Sequence, residues 1–442
     1  MKRHLGSLFL VLMSVSVVLA AELEPLPADP YFSAFKPLKT PARAGRVLQL
    51  GDRLAICGDS ITEQKMYSRI METYLTVCVP QLKVTVRQYG WSGERAPGFH
   101  QRMTNDVLRF KPTLATTCYG MNDHRYRSYT EEIGKTYRDS ALGIIRAFKA
   151  QGVRVIQGSA GTVGKMPSWV KTAQGTVQDL NLGLLELRNI DVLLSQEEQV
   201  AFADCFLPML KQGYYAQRRF GPEYMISGKD GVHPGWAGHL VMAYAFLEAM
   251  GLDGQIGVIA LDLATGQIQA SNGHQLLAQE GNRIDLLSTV YPFCASGPTD
   301  DDSSIRSGMS LVPFNERLNR FMLVIKNLAA GLYEIQWGPT QKVYSAEALA
   351  KGVNLAADYE VNPFSEAFKR VDEAVAAKQA YETRQIKTLF HGPEGKADMA
   401  TTAALTEKTR APLVAAIREA FTPVRHTITI SPVNESTVIS NR

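Results

Sequence analysis

Four short segments, far apart in the chain, carry residue types that could make and break an acyl bond. The first is Gly58-Asp59-Ser60-Ile61-Thr62, where an apolar run delivers a hydroxyl just ahead of a helical pattern. Parallel α/β sheets bind ligands at the carboxyl ends of their strands, and a backbone N–H at a helix start favours developing negative charge. Ser60 there serves either as a nucleophile or as an ordinary helix cap, a role serine fills often. The second segment is Asp230-Gly231-Val232-His233-Pro234-Gly235-Trp236. A carboxylate three residues ahead of a histidine lets one turn hold both, so that Asp230 accepts from Nδ1–H while Nε2 faces a nucleophile. The competing reading is a polar loop histidine beside a turn-forming aspartate. The remaining two are Gly90-Trp91-Ser92-Gly93 and Tyr119-Gly120-Met121-Asn122-Asp123. An Asn side-chain amide and a Gly backbone N–H at strand ends are the donor types an oxyanion hole requires, although each loop by itself is also an ordinary turn.

These segments act together only if a sheet gathers them at one edge. Apolar runs at 53–57, 83–89, 113–119, 153–158 and 200–206 recur with helical patterns between them. Met66, Ile70, Tyr74 and Leu75 share one helical face, as do Ile133, Tyr137, Leu142 and Ile145. Ser128 with Glu131 offers a capping box and Gly152 a helix stop. Near-continuous apolar strands alternating with helices imply strands covered on both faces, hence a three-layer α/β/α domain over residues 51–250 with a five-stranded parallel sheet. Residues 21–50, with several prolines and no periodicity, read as an extended lead-in. Beyond Gly251 the texture changes to a smaller β-rich and helical region. Runs at 256–263, 284–290 and 321–325 suggest a β-rich accessory module over 251–344. A helical segment is expected over 345–392, and 393–442 reads as a tail of decreasing order.

Residues 1–20 read as an export signal: Lys2 and Arg3, an apolar stretch from Leu8 to Leu19, then small residues ending at Ala20. A periplasmic or extracellular enzyme is therefore expected, and no later apolar stretch is long enough for a stable membrane span. The formal net charge of +4 over 442 residues, without a run of Lys and Arg after the first residues, argues against nucleic acid as a partner. Five cysteines are an odd number, and Cys57, Cys118 and Cys205 sit in apolar runs, so buried thiols are expected rather than bridges. No spacing of His, Cys and carboxylates suits zinc or calcium, and no dinucleotide fingerprint occurs, so neither metal nor organic cofactor is expected.

The four segments, in this order and on these elements, resemble the four sequence blocks of the SGNH (GDSL-type) hydrolases, over about residues 51–250. That resemblance implies a nucleophile at Ser60, an oxyanion hole formed by the Ser60 N–H, Gly93 and Asn122, a base at His233 and an orienting carboxylate at Asp230. It implies hydrolysis of a carboxylic ester through an acyl-enzyme, and export favours an acylated polysaccharide, such as an O-acetylated sugar, as substrate. Two rivals are a glycan acyltransferase using the same residues and a non-catalytic carbohydrate-binding protein on the same scaffold. One departure is Gln88, where many members carry Asn ahead of the second-block glycines. Outside the blocks, His124 reads as a pocket or surface residue and His239 as a packed or partly exposed structural one. Trp91, Trp169 and Trp236 offer either stacking surface for a sugar or ordinary packing.

Overall fold

The computed structural model of the chain describes residues 22–42 and 45–433, so the expected export signal lies outside the described residues. Five strands, β1 (Arg53–Gly58), β2 (Thr85–Gln88), β3 (Leu114–Cys118), β4 (Arg154–Gly158) and β5 (Ala201–Ala203), form one parallel sheet in the order β2-β1-β3-β4-β5. Leu54, Ala55, Ile56 and Cys57 are buried, and β3 is buried throughout, as strands covered on both faces must be. The expected α/β class is therefore the observed one, with strands trimmed at their ends. Only Ala201–Ala203 of the 200–206 run is strand, because Cys205 already caps the next helix.

Helices α1 (Ser60–Glu63), α2 (Tyr67–Val77), α3 (Ala96–Asp106), α4 (Glu131–Ala150), α5 (Val177–Glu197), α6 (Phe206–Phe220) and α7 (Trp236–Ala249) alternate with these strands and complete the outer layers. The capping box expected from Ser128 and Glu131 is not formed. Thr130 caps α4 instead, in an extended conformation with its hydroxyl accepting from the Ile133 N–H at 3.4 Å, two residues further on. Gly152 does follow the helix end, at φ +70°, a left-handed conformation that favours glycine. The α7 helix is apolar nearly all round and is buried between β4, β5 and α2, which fixes the loop bearing His233 at its start.

Beyond α7, strands β6 (Gln255–Asp262), β7 (Gln267–Ala270), β10 (Arg320–Lys326) and β13 (Val353–Asn354) form one sheet, with β6 and β10 parallel. A second sheet contains β8 (His274–Glu280), β9 (Arg283–Ser288), β11 (Leu332–Trp337), β12 (Thr340–Ser345) and β14 (Val424–Pro432), in the order β12-β11-β14-β9-β8. The decreasing order expected after residue 393 is overturned: Met399–Ala420 is a helix and β14 is the central strand of this sheet. Strand β14 alternates half-buried with buried residues, and His426, Ile428 and Ile430 point into a core that its neighbours complete, so its apolar content reads as sparse until the partners are known.

This C-terminal half packs on the first sheet. The helix Ser365–Arg384 lies against α2 and the edge strand β2. Lys378 Nζ donates to the Val86 carbonyl at 2.6 Å, Arg410 donates to the same oxygen at 3.1 Å, and Glu382 accepts from the Gln88 N–H at 3.1 Å. Side chains of two helices thus satisfy backbone groups that an open edge would expose to pairing with another chain. All five cysteines are free thiols, four buried and Cys294 half-buried.

Candidate active site

Strand β1 ends at Gly58, and the chain turns through Asp59 into α1. Asp59, rather than Ser60, caps that helix: its Oδ1 accepts from the Ile61 N–H at 2.9 Å. The hydroxyl of Ser60 is left free for another partner and finds His233, whose Nε2 lies 2.8 Å from Oγ. Across the ring, Nδ1 is 2.7 Å from Asp230 Oδ2, while Asp230 Oδ1 accepts the N–H groups of Val232 and His233 at 2.9 and 2.8 Å. Burial works against ionisation of Asp230, but these backbone donors and the His233 ring outweigh it and hold its carboxyl below the usual range. An ionised Asp230 requires the proton on Nδ1, so Nε2 is the acceptor for Ser60 O–H. Gly231, at φ +87°, makes the loop possible, because a Cβ there would meet the Lys165 carbonyl at 2.4 Å.

The two donor loops stand beside this chain of hydrogen bonds because β2 and β3 flank β1. Gly93, at φ +72°, and Asn122 line one cleft of about 360 Å³. The amide of Asn122 is held from both ends. Its Nδ2 donates to the Glu94 carbonyl at 3.1 Å and to Asp59 Oδ2 at 3.3 Å, and its Oδ1 accepts from Tyr126 O–H at 3.2 Å. Burial lifts the Asp59 carboxyl to about 7.

Several residues support these loops, and three of them, Glu63, Arg102 and Lys387, carried no readable signal in the sequence. Arg102, buried in α3, clamps Glu94 with two bonds of 2.6 and 2.7 Å, which fixes the residue after Gly93. Asp123 accepts from the Ala96 N–H at 2.9 Å and the Gly120 N–H at 3.0 Å, joining the second and third blocks, and burial lifts its carboxyl to about 6. Gln88, the departure from the family pattern, accepts from the Gly90 N–H at 2.9 Å and donates to the Thr62 carbonyl at 3.0 Å, so it ties the second block to the first. From the C-terminal half, Lys387 grips both oxygens of Glu63 at 2.7 and 2.8 Å, and Glu63 accepts from the Ser92 N–H next to Gly93. Lys387 sits in a π-helical turn, Gln385–Phe390, a local irregularity frequent at functional sites.

Two further histidines that the sequence singled out, His124 and His239, are buried. His124 is buried, its Nδ1 against the Met121 carbonyl, and burial drops its pKa to about 4; it is neither a surface residue nor a lining residue of the cleft. His239 is fully buried in α7, its Nδ1 accepting from the Tyr67 N–H at 3.2 Å and its Nε2 3.1 Å from Gln64 Oε1. Burial, with a smaller repulsion from His233, lowers its pKa to about 3. The unfolded chain therefore takes up a proton at His239 below about pH 6.5 while the folded chain refuses it until about 3, so stability falls as pH drops across that window. A His239→Gln variant, which keeps a polar side chain there, is expected to lose less stability than wild type between pH 6.5 and 4 in urea unfolding; parallel losses would show that His239 is not the group responsible.

Residues 56–241 match the GDSL-like Lipase/Acylhydrolase family. An acetylxylan esterase of Geobacillus stearothermophilus is 24% identical over 225 residues, which are 46% of this chain and 95% of that protein. A solved structure of a gut microbial diltiazem-metabolizing enzyme superposes with a TM-score of 0.71 at 20% identity, covering 89% of this chain and 100% of that one. The likeness of fold therefore extends through the C-terminal half. A crystal structure of an acetylxylan esterase from Geobacillus stearothermophilus aligns with a TM-score of 0.40 at 20% identity, over 47% of this chain and 97% of that one.

Proposed function

As a member of the GDSL-like lipase/acylhydrolase family over residues 56–241, the chain is an ester-hydrolysing enzyme, and we propose that it removes an acyl group, most simply acetyl, from a carbohydrate through Ser60, His233 and Asp230. The observation that carries the reading is the unbroken hydrogen-bond chain from Ser60 Oγ through the His233 ring to an ionised Asp230. In the proposed reaction His233 Nε2 takes the Ser60 proton as Oγ bonds to the ester carbonyl carbon. The Gly93 N–H and the Ser60 N–H donate to the tetrahedral oxyanion, whose charge exists only during the reaction, and the Asn122 amide joins them by turning one N–H from its 3.3 Å bond with Asp59 Oδ2 toward the oxyanion. His233 then returns the proton to the departing sugar oxygen as the C–O bond breaks. Water, deprotonated by the same ring, releases the acid from Ser60.

The carbohydrate leaving group is supported by the acetylxylan esterase relative, almost all of whose length aligns with this chain. An export signal at residues 1–20 accords with a polymeric substrate outside the cytoplasm, and no helix among the described residues is long and apolar enough to cross a membrane. The test is incubation of the purified full chain with acetylated xylo-oligosaccharides and, separately, with a fluorophosphonate probe. Acetate release and covalent labelling of Ser60 are expected. Labelling elsewhere, or acetate release by a chain that the probe does not block, would overturn the assignment of Ser60.

A further inference from the structure

The cleft beside the proposed oxyanion donors is lined by Arg95, Arg125 and Arg127 as well as Gly93, Asn122 and Tyr126, and no carboxylate lines it. Arg125 is paired with Glu132 at 3.1 Å. Arg95 and Arg127 are exposed, and Arg95 also acts through its charge on the buried Asp123 carboxylate. The backbone that carries two of these residues is unusual. Arg125 and Tyr126 both lie in the left-handed region, at φ +55° and +54°, although neither is glycine. Such strain persists where surrounding structure enforces it and clusters at binding sites. Here it brings Tyr126 O–H onto Asn122 while setting Arg125 and Arg127 around the cleft.

Thr172, in the segment 164–175 between β4 and α5, also lines the cleft. This segment is tied to the His233 loop by the Gly164 N–H donating to the Gly231 carbonyl at 2.9 Å. It is tied to the Asn122 loop by the Gln174 N–H donating to the Tyr126 carbonyl at 2.9 Å. Between those anchors it carries Trp169, stacked on the His233 ring at 5.7 Å between centroids and still 47% exposed. An indole left half in water beside the reacting histidine offers a flat apolar surface to a sugar ring, and the exposed guanidinium groups of Arg95 and Arg127, at the cleft that Thr172 of the same segment also lines, offer forked donors to a planar or tetrahedral anion.

We infer that Trp169, Arg95 and Arg127 form a subsite for an acylated sugar that bears an anionic substituent, a carboxylate or a sulfate. The inference deepens the proposed esterase reading by naming its substrate class, and it rests on that reading only for the hydrolysis measurement. Trp169 holds the ring over the site, and the two arginines hold its negative group on the side of the oxyanion donors, so the scissile ester is presented to Ser60.

The test is equilibrium binding to the full-length Ser60→Ala chain of three oligosaccharides of equal length: acetylated and neutral, acetylated with uronate carboxylates, and acetylated with sulfate esters. The charged ligand is expected to bind on the order of tenfold to a hundredfold more tightly than the neutral one at low salt. That advantage should shrink as ionic strength rises and disappear in the Arg95→Gln/Arg127→Gln double variant. Trp169→Ala should weaken all three ligands alike, by about threefold to tenfold. The carboxylate and sulfate arms tell which anion is held. Equal affinity for neutral and charged ligands, or an advantage that survives loss of both arginines, would overturn the subsite. Hydrolysis by the wild-type chain is followed in parallel: if none of the three is cleaved, the esterase reading fails while the binding comparison still decides the subsite.

Discussion

Replacing Ser60 by alanine is expected to abolish fluorophosphonate labelling and to lower kcat on any ester by on the order of ten-thousandfold or more, leaving only the residual rate that oxyanion donors and binding supply. The variant should unfold at the same temperature as wild type. That second expectation follows from the local structure: the cap of α1 is made by Asp59, so deleting the Ser60 hydroxyl removes no helix-capping bond. Measured together, the two quantities separate a nucleophile from a structural serine. A variant with wild-type turnover, or one whose lost turnover is matched by lost stability, would remove Ser60 from the chemistry.

The largest effect on stability is expected at Lys378, which no functional motif contains. Its ammonium group is 1% exposed and lies 2.8 Å from Glu72 and 3.0 Å from Glu382, besides donating to the Val86 carbonyl. Burial raises the Glu72 carboxyl. Burial also opposes ionisation of Glu382, but Lys378, Arg410 and Arg87 together outweigh it and hold Glu382 below the usual range. A Lys378→Met variant would take from buried Glu72 its ion-pair partner and leave Arg410 as the remaining ion-pair partner of Glu382 and the remaining side-chain donor to the Val86 carbonyl. Breaking a buried pair from one side costs about 3–5 kcal/mol, which should appear as a lowered urea midpoint. Loss of less than about 1 kcal/mol would show that the network does not hold the C-terminal half to the sheet. Activity should fall as well, because the same helix runs on into the turn where Lys387 binds Glu63, and Glu63 in turn holds the Ser92 N–H beside Gly93.

The elements of the first sheet were legible because their information is local. A strand buried on both faces is a continuous apolar run, and β1, β3 and β4 read that way without knowledge of their neighbours. The loops that follow them announce their chemistry by residue type, and the carboxylate at three residues from His233 reads as a pair because one turn can hold both. A misreading arose where two residues competed for one local role. Thr130 displaced Ser128 as a cap, whereas Asp59 took the cap of α1 and so removed the competing reading of Ser60.

The sequence by itself therefore determined the fold class, the strands whose ends carry Ser60, Gly93 and Asn122, and the turn that joins Asp230 to His233. Only the tertiary structure decided what surrounds them: Arg102 on Glu94, Lys387 on Glu63, Trp169 over the His233 ring, and a C-terminal strand in the middle of its sheet. The physical reason is separation along the chain. Periodicity and turn chemistry act over a few residues, whereas Lys387 and Glu63 lie 324 residues apart, and their pairing has meaning only after two sheets and the helices between them have packed.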